Sequence, residues 1–281
     1  MARRFAVVST THAKGWEVFG RQMVGTLDRH WLPDVALHLY HEGFDPPAGM
    51  SRLVARDLLE ACPDLAAFKR RHKDNPLATG RHPWPAPRLV NVHLSGPPRR
   101  KLRLFRKGYK WDAVRFAHKA FAILHAAEHS GADVLVWVDA DSRFFADVTR
   151  AEMEGWCPED RFVGCLRRLV HTETGFVAYN LRHPGTAVLL DAFRRMYVED
   201  LFLREEEWHD AYLFDLCRMK AEAQGHRSHD IAEGIGARAM HVLINSRLGA
   251  FMDHMKGGRK GSERSPDKDL VIKRTEAYWT S

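Results

Sequence analysis

The stretch VLVWVDADSRF, residues 134–144, constrains this chain more than any other. An apolar run of strand length carries straight into two acids one residue apart, Asp139 and Asp141. Short apolar runs rich in β-branched and aromatic residues predict strands buried on both faces, as in parallel sheets covered by helices. In an open α/β sheet, ligands bind beyond the carboxyl ends of the strands, and both acids fall at such an end. Residues i and i+2 of an extended chain point the same way. The two carboxylates can therefore face one hard divalent cation, Mn2+ or Mg2+. The alternative is a solvated strand exit, because Asp is common in turns.

The rest of the chain supports such a sheet. RFAVVSTT (4–11) predicts a buried strand ending in small polar residues, GWEVFGRQMVGTLDRHW a helix, and VALHLYHE (35–42) a half-buried strand. Residues 49–72 carry a helical pattern broken at Pro63, and 75–98, rich in Pro, Gly and His, predict a long loop. In DAVRFAHKAFAILHAAEHSG, helical spacing places Val114, Ala117, Phe121 and Leu124 on one face, and Gly131 ends the helix. RFVGCLR and GFVAYNL predict two further strands. GTAVLLDAFRRMYVEDLF and EEWHDAYLFDLCRMKAEA predict helices, AMHVLIN a last strand, and 252 onward a basic tail. Strands alternating with helices predict an α/β fold with a mainly parallel central sheet flanked by helices.

Composition excludes several classes. A chain of 281 residues, 45% hydrophobic and 28% charged, is an ordinary globular protein with a well-buried core rather than a disordered one. No window approaches the roughly 18 apolar residues of a spanning helix, so at most peripheral membrane contact is expected. The opening MARRFAVVSTTHAKGW carries too short an apolar run for a signal peptide. The four cysteines form no C-x-x-C pair. They fit reduced, buried thiols and a cytoplasmic location. The net charge of +7 favours an anionic partner. It is concentrated at 99–110 and 256–274, which read as sites for an anionic acceptor or membrane surface, or as solvated charge. The charge also allows a nucleic-acid-binding protein. No zinc-finger spacing, RRM-like aromatic pattern or helix-turn-helix signal accompanies it, so no nucleic acid is expected. Gly234-x-Gly236-x-x-Ala239 has dinucleotide-binding spacing, but no strand leads into it. A D-x-D-x-T phosphatase reading fails at Arg143, which stands in the Thr position.

A second piece lies far down the chain, at His254-x-x-Gly257-x-x-Lys260. A neutral imidazole can be a third metal ligand. Glycine lets backbone N–H groups approach phosphate closely, and lysine adds a point charge. Metal, glycine and lysine together suit a diphosphate.

VWVDAD followed by H-x-x-G-x-x-K resembles the GT-A glycosyltransferases, and within them the glycogenin-like family 8. Glu173-Thr174-Gly175-Phe176-Val177-Ala178-Tyr179-Asn180-Leu181 resembles that family's N-A-G-V-x-x-x-N-L strand, with Glu173 where Asn is usual. Trp208-His209-Asp210-Ala211-Tyr212-Leu213 echoes its D-Q-D-x-L helix entry, keeping Asp210. Gly261-Ser262 replace the usual Pro-Trp, which marks a divergent relative.

The resemblance implies one GT-A-like catalytic domain over 1–281. Residues 1–145 would form the donor nucleotide-binding half, 146–250 the acceptor side, and 251–281 the tail that closes the donor site. It implies transfer, with retention, of a sugar from a nucleotide-sugar donor, commonly UDP-linked, to a glycan, lipid-linked or protein acceptor. Asp139, Asp141 and His254 would hold Mn2+ or Mg2+, and Gly257 and Lys260 would touch the distal phosphate. Ser9, Thr10 and Thr11 would line the nucleoside pocket. Arg115 and Lys119, four apart on one helix face, read as donor contacts or as surface charge, with Trp111 and Asp112 nearby. Glu173 and Asp210 are the candidate catalytic carboxylates at the acceptor. A non-catalytic nucleotide- or glycan-binding module is the remaining alternative.

Overall fold

A computed structural model describes residues 2–47, 52–92, 99–259 and 262–280. The strands are β1 (Phe5–His12), β2 (Ala36–Glu42), β3 (Leu53–Asp57), β4 (Arg81–Val92), β5 (Arg99–Lys107) and β6 (Val134–Val138). They continue as β7 (Ser142–Phe144), β8 (Val163–Leu166), β9 (Glu173–Asn180), β10 (His229–Asp230) and β11 (Met252–His254). Seven of them form one sheet in the order β10-β8-β9-β6-β1-β2-β3. β1 runs parallel to β2 and β6, β2 to β3, and β8 to β10. β9 is the exception, antiparallel to both β6 and β8. The protein is thus an α/β fold with a mainly parallel central sheet flanked by helices.

Both faces of the sheet are covered, which explains the unbroken apolar run of β6. Leu135 and Trp137 point into a core with Ala117, Phe121 and Leu124 of the helix Ala113–His129. Helices Pro184–Val198 and Asp210–Ala223 add Leu189, Phe193, Leu213 and Phe214 to that core. Val134, Val136 and Val138 point the other way, against Met23, Val24 and Leu27 of the helix Arg21–His30 and Leu243, Ile244 and Leu248 near the C-terminus. All four cysteines are free and buried. No helix among the described residues is long and apolar enough to cross a membrane.

Four local expectations are corrected. Leu53–Asp57 is a strand rather than helix, because it gains a parallel ladder with β2. Asp57 then caps the helix Leu58–Ala61 by accepting from the N–H groups of Leu59 and Glu60, and Pro63 opens the next helix as the break predicted. The expected loop at 75–98 contains β4, which pairs antiparallel with β5. Its prolines hid the strand, and the register shift between Pro83 and Arg88 takes up two of them, the usual place for Pro in a ladder. β2 is buried on both faces, His38 and His41 included, although its sequence alternates. AMHVLIN forms the short buried helix Val242–Asn245, while a strand, β11, lies inside the predicted tail. The two-residue strand β10 does precede Gly234, but Gly234 caps a 3-10 turn, Ile235–Ala237, that contains Gly236.

Candidate active site

The chain stays bonded to β9 one residue past the end of β6. The Asp139 N–H donates to the Gly175 carbonyl at 2.9 Å. Residues 137 and 139 share a side of the strand, so the Trp137 indole N–H donates to Asp139 Oδ1 at 2.6 Å. Lys119 reaches the same oxygen from the covering helix at 3.1 Å. The chain then turns, with Ser142 N–H donating to Asp139 O, and enters β7.

β7 pairs antiparallel with β11 and sets Ser142 opposite His254. This two-stranded ribbon brings together residues 113 apart in sequence, leaving His254 Nε2 3.0 Å from Asp141 Oδ1. The same nitrogen lies 3.5 Å from Asp139 Oδ2. One donor atom from each of Asp139, Asp141 and His254 falls within 4.8 Å of the other two. Asp141 and His254 are buried, and Asp139 keeps 30% of its side chain open to solvent. Gly175 makes room for the imidazole: a Cβ there would stand 2.5 Å from His254 Cε1.

Two carboxylates and one imidazole fit a Mn2+ or Mg2+ ion by donor chemistry. The electrostatics agree. Burial opposes protonation of His254, yet Asp141, Asp139 and Glu173 raise its pKa above the ordinary value. Acids that favour a positive charge here also favour a divalent cation.

Further residues brace the three. Asp253, fully buried, accepts from the His254 N–H, from both N–H and Oγ of Ser265, and from the Tyr278 hydroxyl. His241 Nε2 sits 2.9 Å from the His254 carbonyl oxygen. Lys256 pairs with Glu173, which Arg168 also meets at 3.3 Å. Lys119 bridges the two halves of the site, pairing with Asp139 and, at 2.8 Å, with Asp210. Thr174 Oγ1 donates to that same Asp210 oxygen at 2.7 Å. Burial works to raise Glu173 and Asp210, but their cation partners hold both below the usual carboxylate range. For Lys119 the two acids outweigh burial and raise its pKa.

The other predicted residues are placed as follows. Ser9 is buried and donates to Val138 O at 2.7 Å, joining the middle of β1 to the end of β6. Thr10 donates to Tyr40 O at 2.8 Å, and Thr11 packs against Gly15 and Gly20. Arg115 lies over the Phe116 ring, so the shared helix face delivers Lys119 to Asp139 and leaves Arg115 apart. Asp112 caps that helix by accepting from Arg115 N–H, and the Trp111 indole donates to Glu206 O. Gly257 has φ +66 in open space, a conformation that favours glycine. Lys260 falls outside the described residues.

Arg168, Trp137 and Asp253 were not read from the sequence as site residues, and Lys256 was read only as the start of the basic stretch 256–274. Lys256 had a signal, since it stands two residues after His254 and so on the same side of an extended chain. Asp253 and Arg168 had none, because their partners come from distant segments.

No protein-family model and no curated protein matches the sequence. Similar solved structures include the apo form of mouse xyloside xylosyltransferase 1, 11% identical over 80% of this chain and 84% of that one, TM-score 0.45. The glycosyltransferase GlyE of Streptococcus pneumoniae TIGR4 is 12% identical over 84% of this chain and 47% of that one, TM-score 0.45. The bifunctional WbbM gives 11% over 83% and 39%, TM-score 0.44. This chain therefore spans less than half the length of GlyE and WbbM. Likeness at this level carries no statement about activity.

Proposed function

We propose that the protein is a metal-dependent glycosyltransferase of the GT-A type, akin to the glycogenin-like family. It takes a sugar from a nucleotide-sugar donor, UDP-linked in the first instance, and passes it to a glycan, lipid-linked or protein acceptor. The observation that carries this is the meeting of Asp139, Asp141 and His254 at the carboxyl end of β6, the last two 113 residues apart in sequence, with one donor atom from each of the three within 4.8 Å of the others.

Asp139, Asp141 and His254 would hold Mn2+ or Mg2+, which when bound acts as a Lewis acid and neutralises charge gathering on a leaving diphosphate. Trp137 and Lys119 engage Asp139 Oδ1, while Oδ2 lies 3.5 Å from His254 Nε2. The left-handed backbone at Gly257 lets its neighbours' N–H groups approach phosphate. Lys260 is proposed as the cation for the distal phosphate, and Thr10 and Thr11 as the nucleoside side. Glu173 and Asp210, ion-paired with Lys256 and Lys119, are proposed as the acceptor-side carboxylates. A carboxylate held in this way is a weak proton acceptor, which supports a retaining course without a strong protein base.

Thermal shift with UDP and GDP, each with and without Mn2+, tests the reading. A uridine nucleotide should stabilise the protein only with Mn2+, and Asp141→Ala should abolish the shift. No metal-linked shift with any nucleotide sinks the proposal. Slow Mn2+-dependent hydrolysis of a UDP-sugar then separates an enzyme from a binding module.

A further inference from the structure

A second convergence of metal-ligand side chains lies outside this site. His171 comes from the connection between β8 and β9, and Glu207 and His209 from the entry to the helix Asp210–Ala223. His209 Nε2 is 2.8 Å from Glu207 Oε2, and His171 Nε2 is 3.2 Å from the same oxygen. One donor atom from each of the three lies within 4.8 Å of the others. A tetrahedral zinc ion with ligand bonds of about 2.0–2.1 Å has donor-to-donor edges of about 3.3 Å. The two short separations are already near that edge.

Neighbouring groups order the three residues. His209 occupies the cap position of its helix, yet its imidazole makes no capping bond and turns to Glu207 instead. Tyr109 and Phe116 pack against its ring. Lys110 takes Glu207 Oε1, leaving Oε2 to face both histidines. Arg168 donates to the His171 carbonyl at 2.8 Å, and Asp215 accepts from Thr172 N–H beside it. His171 Nε2 is closed to solvent and makes no hydrogen bond of normal geometry.

We propose that His171, Glu207 and His209 form a second metal site, selective for a zinc-class cation, with three protein ligands and an open fourth position. Two imidazoles and one carboxylate are the nitrogen-rich set that suits zinc, whereas two carboxylates with one imidazole suit manganese or magnesium. The bound ion keeps a net positive charge, and Lys110 adds to it, so the fourth position takes water or an anionic donor. His209 adjoins Asp210, which pairs with Lys119 and through it meets Asp139. An ion here would fix the acceptor side of the candidate active site. The ligand set stands whether or not the chain transfers sugars.

The full chain, saturated with Mg2+ to fill the Asp139 site, is titrated with Co2+ as a coloured stand-in for zinc. One equivalent should bind with the strong visible absorption of a four-coordinate ion and be displaced by Zn2+. His171→Ala and Glu207→Gln should each weaken binding about tenfold or more, at least the cost of losing an outer partner, while Asp139→Asn leaves it intact. A Co2+ signal lost in Asp139→Asn and kept in His171→Ala overturns the proposal, as does no uptake beyond the Asp139 site. Should the variants fail to fold by circular dichroism, wild-type protein decides. Zinc X-ray absorption of the Mg2+-saturated protein should show two imidazoles around the ion, and one or none overturns the site.

Discussion

A methyl group at position 175 would sit 2.5 Å from Cε1 of His254 and 2.7 Å from its Nδ1. The imidazole is buried and has nowhere to retreat. Gly175→Ala should therefore displace His254 and weaken Mn2+ binding about tenfold or more, comparable to losing a supporting partner. Titration calorimetry checks this, and unchanged affinity would show that the close approach is incidental. Lys119 makes a different residue-scale case. It is the shared partner of Asp139 and Asp210, and Asp210 is buried. Lys119→Met leaves the two acids without their counter-charge, and breaking a buried pair this way costs about 3–5 kcal/mol. Urea unfolding should show that loss, with Asp210→Leu added to Lys119→Met recovering part of it.

At the scale of elements, the ribbon of β7 and β11 makes the site, and Asp253 anchors the ribbon. Its two oxygens accept from His254 N–H, Ser265 and Tyr278. Asp253→Ala strands several buried donors, each worth about 1–3 kcal/mol when left unpaired. Hydrogen exchange should quicken across 252–280 and Mn2+ affinity should fall, while the sheet around β1 and β6 keeps its protection. Exchange that quickens equally everywhere would count against a local anchor. This element was the least legible in the sequence. Met252–His254 is too short to show a strand period, and it pairs with residues more than a hundred positions away. β3 was obscured for a related reason: its spacing suits a helix, and pairing with β2 overrides it.

For the molecule as a whole, burial sets the acid limit of stability. Burial, with Arg56 and His125 nearby, lowers His38 from 6.5 to about 4. Burial, then Lys256 and His254, lowers His241 to about 3. Between those values and 6.5 the unfolded chain binds protons that the folded chain refuses, so stability falls as pH drops through that window. The melting temperature should decline from pH 6.5 toward pH 4, and His38→Gln should flatten the slope. A melting temperature independent of pH over that range would remove these histidines as its source.

Local pattern alone determined the parts that short segments decide. The apolar run at 134–138, the face of Ala117, Phe121 and Leu124, and Gly131 at a helix end each follow from spacing and side-chain type, and together they carried the α/β layout. Asp139 and Asp141 were legible because an extended chain must place both on one side of a strand's end. Tertiary structure decided what depends on distant partners. Thr10 and Lys119 both carry polar side chains near the predicted pocket, yet Thr10 turns to a backbone carbonyl while Lys119 joins two acids. The placing of His254 against Asp141, its fit over Gly175, and the meeting of His171 with His209 arise where strands and connections cross. A carboxylate or imidazole carries no record in its own neighbours of which distant group will share its cation.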